Sequence, residues 1–84
     1  TAEGATMADY LPFGEWLLEA RKRLRVSQRV VGERAGVAHP TLSGWERHGR
    51  EPRRLQRRAV ERAIAEIAAE RGIVVPTSPE GGVK

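Results

Sequence analysis

The chain has 84 residues, no cysteine and a formal net charge of +4 at neutral pH. A chain of this length holds one small domain, and the lack of cysteine excludes a disulfide framework and a thiolate metal site. Its apolar runs are too short to cross a bilayer, and its first residues lack the basic and apolar segments of a signal peptide. We therefore expect a cytoplasmic protein with no membrane partner.

Positive charge is concentrated in the middle of the chain. Between residues 21 and 58 there are twelve lysines and arginines against three acidic residues, a local balance of +9, whereas the other 46 residues carry a balance of −5. Clustered positive charge attracts polyanions over long distances. This pattern favours a nucleic-acid partner, and a solvated basic surface without a partner is the alternative interpretation.

Two helices are predicted in the first half of the chain. Apolar residues spaced three and four apart predict a helix over 13–24. These residues are Phe13, Trp16, Leu17, Ala20 and Leu24. Ser27 is a preferred N-cap and Gly36 suits a left-handed helix end, so a second helix is predicted over 28–35. Residues 1–12 are expected to be a flexible N-terminal segment.

Two further helices are predicted in the second half. Leu42 and Trp45 indicate a short helix over about 39–47, with Pro40 tolerated in its first turn. A long apolar stripe predicts a helix over 53–71. The stripe consists of Leu55, Ala59, Val60, Ala63, Ile64, Ile67 and Ala68. It either completes the core of the monomer or forms a homodimer contact, and residues 73–84 are expected to be a flexible tail.

These elements predict an all-α fold, a compact bundle of four to five helices in one domain over 13–72. Residues 27–52 also meet the requirements of a helix-turn-helix, in which two short helices cross through a tight turn. Gly32 supplies a small residue where the helices meet, Gly36 supplies the turn, and Val37 follows it into the core. Leu42 and Trp45 face inward from the second helix of the pair.

On these residues, the segment 13–52 resembles the DNA-binding domain of the phage repressor and Cro family, also called the XRE family. The resemblance also rests on the Ser27-Gln28 pair, the Thr41-Leu42-Ser43 run, the Trp45-Glu46-Arg47 run and Pro52. It implies a lambda-repressor-like arrangement in which the helix over 39–47 is the recognition helix and lies in the major groove.

The resemblance also implies roles for individual residues. The residues implied to contact bases are Ala38, His39, Pro40, Ser43, Gly44 and Arg47. Those implied or placed to contact phosphates are Gln28, Arg29, Thr41, Arg50, Arg53 and Arg54, with Lys22, Arg25, Arg57 and Arg58 as further candidates. A structural ion pair is implied between Arg21 and Glu46. The chain departs from the family because alanine stands at 38 and because proline and glycine cannot make bidentate base contacts.

The sequence therefore predicts sequence-selective binding of double-stranded DNA by a small transcriptional regulator of repressor type. A protein-interaction adaptor and a non-specific architectural DNA binder on the same fold are the alternatives. No enzyme activity, small-molecule substrate or cofactor is expected, because no serine has a histidine and a carboxylate placed for catalysis. No metal site is expected, because His39 and His48 lack a second pair of ligands at metal-binding spacing.

Overall fold

A computed structural model describes residues 12–79 as four α-helices, with no strand in that range. The helices are α1 (Phe13–Leu24), α2 (Gln28–Ala35), α3 (His39–His48) and α4 (Arg54–Arg71). The predicted all-α class is confirmed for this range, and each predicted helix agrees with the structure to within one residue at either end. The segment expected to be flexible at the N-terminus lies outside the described residues, except for Pro12.

The core is formed where α4 packs against α1 and α2, and where α3 packs against α1 and α2. Both tryptophans are buried in this core, with Trp16 3% and Trp45 4% exposed. The ring of Phe13 lies between them, with centroid distances of 5.2 Å to Trp16 and 5.7 Å to Trp45. The tryptophans therefore stabilise the fold and are not available for stacking on bases.

The apolar stripe of α4 is used within the monomer, except at its first turn. Val60, Ala63, Ile64 and Ile67 are all at most 2% exposed. Leu55, which the sequence assigns to the same stripe, is 81% exposed, so that assignment is wrong. The first buried residue of α4 is Val60, and the Leu55 side chain faces solvent in the turn before it.

Two glycines allow close contacts between helices. A Cβ atom at Gly32 would stand 2.5 Å from the carbonyl oxygen of Val37, which explains the small residue required between α2 and α3. A Cβ atom at Gly14 would stand 1.9 Å from the carbonyl oxygen of Trp45. Gly14 therefore lets the start of α1 lie directly against the backbone of α3, a contact that the sequence pattern did not reveal.

Residues 73–79 differ from the flexible tail that their composition predicts. The indole Nε1 of Trp16 donates a hydrogen bond of 2.7 Å to the carbonyl of Pro76. The hydroxyl of Ser78 donates to Glu61 Oε2 at 2.6 Å. A buried indole N–H needs an acceptor, and this segment supplies one, so it packs back on the helices. The rest of the predicted tail, residues 80–84, lies outside the described range.

Candidate nucleic-acid interface

The helix α3 has an inner side in the core and an outer side open to solvent. Leu42 and Trp45 lie on the inner side and are buried. The six residues predicted to contact bases share the opposite side, because the helical period of 3.6 brings positions 39, 40, 43, 44 and 47 together. We call this outer side the contact face of α3; it consists of Ala38, His39, Pro40, Ser43, Gly44 and Arg47. Ser43 and Gly44 are half-buried and the other four residues are exposed.

The starts of α2 and α3 are capped differently. At α2, the side chain of Ser27 accepts a hydrogen bond of 3.1 Å from the backbone N–H of Val30. At α3, Ala38 offers no side-chain acceptor, and Pro40 has no N–H to satisfy. The start of α3 therefore lacks a side-chain cap, and it exposes the apolar side chains of Ala38 and Pro40 beside His39.

A buried carboxylate on α3 connects this helix with α1 and, through Arg21, with the turn before α2. Glu46 has a side chain only 4% exposed, and it accepts two hydrogen bonds from Arg21, at 2.8 Å from Nε and 2.7 Å from Nη2. Arg21 also donates at 3.1 Å to the carbonyl of Val26, in the turn before α2. Arg21 and Glu46 thus form the ion pair that the family resemblance implied. This pair fixes α3 against the end of α1.

The same carboxylate also holds Gln28, a residue predicted to contact phosphate. The Nε2 atom of Gln28 donates to Glu46 Oε1 at 2.8 Å. A side-chain amide carries two N–H donors, so one of them is used inside the domain and the other is left for an external acceptor. Sequence reasoning missed this contact, because Gln28 and Glu46 are 18 positions apart.

An open groove runs beside the contact face. It lies between the start of α2 and the outer side of α3, and Gln28, Arg29, His39 and Arg47 contribute to its lining. Arg29 and Arg47 form no ion pair with an acidic residue of the described range 12–79. The groove therefore combines the positive charge of Arg29 and Arg47 with the polar side chains of Gln28 and His39.

On the other side of α3, the loop to α4 carries further positive charge. Arg50, Arg53 and Arg54 are exposed and, within residues 12–79, none of them pairs with a carboxylate. Arg53 is the N-cap of α4, whose first turn contains no acidic residue. Positive side chains at a helix N-terminus are electrostatically unfavourable, and an anion bound there would relieve this. Thr41, the remaining predicted phosphate contact, is half-buried in the first turn of α3.

Arg57 is not available for the phosphate contact that the sequence suggests for it. Its guanidinium lies 4.9 Å from the centre of the Phe13 ring, and its Nε donates to Glu61 Oε2 at 3.1 Å. Its side chain is only 15% exposed. Arg57 therefore contacts α1 through Phe13 and stabilises the α1–α4 contact.

The described residues contain no cluster of three or more histidine, cysteine or acidic side chains of the kind that holds a metal ion. Across the same range, no helix combines the length and the apolar character needed to span a bilayer.

Comparisons of the chain with protein-family models, with curated proteins and with solved structures found no match. A function must therefore be argued from the residues and the geometry of this chain.

Proposed function

We propose that this chain is a sequence-selective DNA-binding domain of the helix-turn-helix type, with a lambda-repressor-like arrangement, and that it acts as a transcriptional repressor. The observation that carries the proposal is the exposed contact face of α3 together with the exposed arginines near it. Arg29 lines the groove beside this face with His39 and Arg47, the Arg50 side chain lies at Gly44, and Arg53 and Arg54 follow in the chain where α4 begins. In the described range none of these side chains is paired with a carboxylate.

The connection between α2 and α3 supports the helix-turn-helix part of this proposal. Gly36 adopts a left-handed φ of 75°, and the backbone N–H of Val37 donates to the carbonyl of Gly32 at 2.9 Å. Only three residues separate the two helices. A pair of short helices joined in this way can present the second helix to the major groove while the first crosses the backbone.

The charge distribution supports duplex DNA as the ligand. The major groove is about 12 Å wide and is bordered by two phosphate strands. A helix that enters it needs cations nearby to contact the phosphates of the two strands. Arg29, Arg47 and Arg50 are exposed on or beside the contact face and can supply these cations.

A homodimer through α4 receives little support from the packing. The stripe that could have formed such a contact is buried inside the monomer, and Leu55 is the main apolar side chain left exposed on this helix. We therefore propose that the free chain is a monomer and that each monomer contacts one half-site. Sedimentation equilibrium of the free chain tests this point, and a stable dimer that dissociates on Leu55→Lys would overturn it.

The first test of the proposal is selection of duplexes from a random library, followed by fluorescence-anisotropy binding to the selected duplex and to a scrambled control at two salt concentrations. We expect a preference of about a thousandfold or more for the selected duplex. Arg47→Ala should reduce this preference, because Arg47 lies on the contact face. Gln28→Ala should weaken binding to both duplexes, because a phosphate contact carries no sequence information.

One observation favours a second candidate, a non-specific architectural DNA binder. Three of the six positions on the contact face, Ala38, Pro40 and Gly44, offer no side-chain hydrogen bond to a base edge. Equal binding to both duplexes with a steep salt dependence would support this candidate and contradict the repressor. No binding to either duplex would contradict both and would favour a protein-interaction adaptor.

A further inference from the structure

Gly44 is the one glycine of the described range for which the domain itself gives no reason. Three glycines, Gly36, Gly49 and Gly72, have positive φ angles that favour glycine. Gly14 and Gly32 each lie where a Cβ atom would collide with a backbone oxygen. At Gly44, in contrast, a Cβ atom would meet only the Cδ atom of Arg50, at 3.6 Å, which is ordinary van der Waals contact. A glycine inside a helix is less stable than alanine, so its presence here calls for another explanation.

The neighbour of Gly44 suggests that explanation. Gly49 ends α3 in a left-handed conformation with φ of 68°, and this turns the chain back toward the helix. The backbone N–H of Arg50 then donates to the carbonyl of Gly44 at 3.4 Å. The aliphatic part of the Arg50 side chain consequently lies against α3 at Gly44. The guanidinium is bonded directly to Cδ, so it lies close to the contact face.

We propose that Arg50 is a specificity-determining residue that contacts a guanine base in the major groove, and that Gly44 provides the space in which its side chain lies. This inference rests on the function proposed above. It changes the role of Arg50 from the phosphate contact suggested by the sequence. Arginine is suited to the new role because its planar guanidinium can donate two hydrogen bonds to guanine O6 and N7.

The position of Gly44 on the contact face explains why Arg50, and not another arginine of the loop, is assigned the guanine contact. Gly44 lies one turn after Pro40 and three residues before Arg47 on the contact face. It has no side chain to contact a base, so the surface above it is open to a side chain from outside the helix. Arg50 lies at this surface, whereas Arg53 is the exposed N-cap of α4. These two arginines carry the same charge, three positions apart, and are therefore a matched pair for a test.

The test compares Arg50→Ala with Arg53→Ala on the selected and scrambled duplexes. Loss of a guanine contact should reduce the preference for the selected duplex by tenfold or more, by the usual magnitude of a bidentate contact. Loss of a phosphate contact should weaken binding to both duplexes equally and reduce the salt slope by about 0.9. We expect the first result for Arg50→Ala and the second for Arg53→Ala.

Modified DNA identifies the guanine that Arg50 contacts. Because the change is made in the DNA, the result for the natural chain does not depend on how a protein variant folds. Replacing one guanine of the selected duplex by 7-deazaguanine removes the N7 acceptor and leaves the phosphates unchanged. At the guanine contacted by Arg50, this replacement should weaken binding of the natural chain by about tenfold. It should leave the affinity of Arg50→Ala unchanged. Arg50→Lys should fail to restore the preference, because a lysine restores charge but not the bidentate geometry.

Substitutions at Gly44 test the space for Arg50. Gly44→Ala places its Cβ at the tolerated 3.6 Å and should keep the response to 7-deazaguanine. Gly44→Leu should displace the arginine and abolish this response, with circular dichroism to verify that the helices are retained. The inference is overturned if Arg50→Ala behaves like Arg53→Ala while the natural chain still prefers the selected duplex. If the natural chain shows no preference at all, the proposed function fails and this inference fails with it.

Discussion

The inner and outer sides of the ten-residue helix α3 differ in their contacts with the rest of the domain. On the inner side, Trp45 is buried and Glu46 accepts three hydrogen bonds from two residues. On the outer side, His39, Pro40 and Arg47 are exposed, and in residues 12–79 no ion pair holds the arginine. Trp45 and Glu46 on the inner side therefore have internal contacts, whereas Arg47 on the outer side has no ion-pair partner among residues 12–79.

This difference separates what maintains the fold from what is available to a ligand. A buried charge is retained only if its partners compensate for the loss of solvation. An exposed arginine has no such requirement, so its placement is free to suit an external partner. Substitutions on the two sides should consequently affect different quantities, namely the free energy of unfolding on the inner side and binding on the outer side.

The largest effect should follow the loss of the buried carboxylate. Glu46→Ala leaves the guanidinium of Arg21 without its partner. We expect the free energy of unfolding to fall by about 3 kcal/mol. Denaturant titration followed by circular dichroism measures this change. The control is Glu19→Ala, which breaks the exposed pair with Arg23, whose side chain is 51% exposed. This change should cost about 0.5 kcal/mol or less, and equal losses for the two variants would contradict the comparison.

The next effect compares the same glycine-to-alanine substitution at Gly14, a residue of α1 that lies against the backbone of α3, and at Gly44 on the outer side of α3. Gly14→Ala forces a methyl group into the carbonyl of Trp45, where only 1.9 Å is available, and should destabilise the domain by about 2 to 3 kcal/mol. Gly44→Ala adds the same methyl group to the outer side without a clash and should stabilise the domain by about 0.5 to 1 kcal/mol. Thermal unfolding of the two variants should therefore show shifts of opposite sign. Shifts of the same sign would mean that the two helix sides do not differ as described.

A smaller effect is expected at the C-terminal segment 73–79. Trp16→Phe removes the donor that holds the carbonyl of Pro76 and should destabilise the domain by about 1 to 2 kcal/mol, including a small loss of packing. Hydrogen exchange and limited proteolysis should detect faster opening of residues 73–79. Ser78→Ala, which removes only the contact with Glu61, should have a weaker effect in the same region. Unchanged exchange in both variants would show that the segment is held by its apolar residues alone.

The smallest effect concerns an exposed ion pair between α2 and α4. The hydrogen bond from Arg34, together with the nearby positive charge, lowers the pKa of Glu70 below its ordinary value. A carboxyl group with a lowered folded pKa contributes stability above its ordinary pKa, and this contribution is lost as the pH falls through the folded pKa. We expect a slight loss of stability below about pH 4 that Glu70→Gln removes. An unchanged acid profile in that variant would exclude this pair as the cause.

Local patterns were sufficient to predict the helices. Apolar spacing, Ser27 at the start of α2 and Gly36 at its end predict elements whose bounds agree with the structure, because these signals act within a few residues. The surface that carries Ala38, His39 and Arg47 was also predictable, since the helical period separates it from Leu42 and Trp45. The contact of Gly14 with Trp45 was not, since it depends on how two helices meet.

Side-chain partners distant in sequence were decided by tertiary structure. Gln28 donates to Glu46 in addition to the phosphate contact that we propose for it, whereas Arg57 lies over Phe13 in place of the phosphate contact that the sequence suggested. A long polar side chain has many rotamers, and its partner is selected by the neighbours that packing brings within reach. No periodic pattern contains that information.

The sequence by itself determined four helices, their order and the concentration of positive charge around the third. Tertiary structure alone decided that Leu55 lies outside the core, that residues 73–79 pack on Trp16, and that Arg50 lies against Gly44. Helix formation depends on neighbours three and four residues away. Burial and side-chain direction depend on contacts between residues distant in sequence, and only the packed domain brings these residues together.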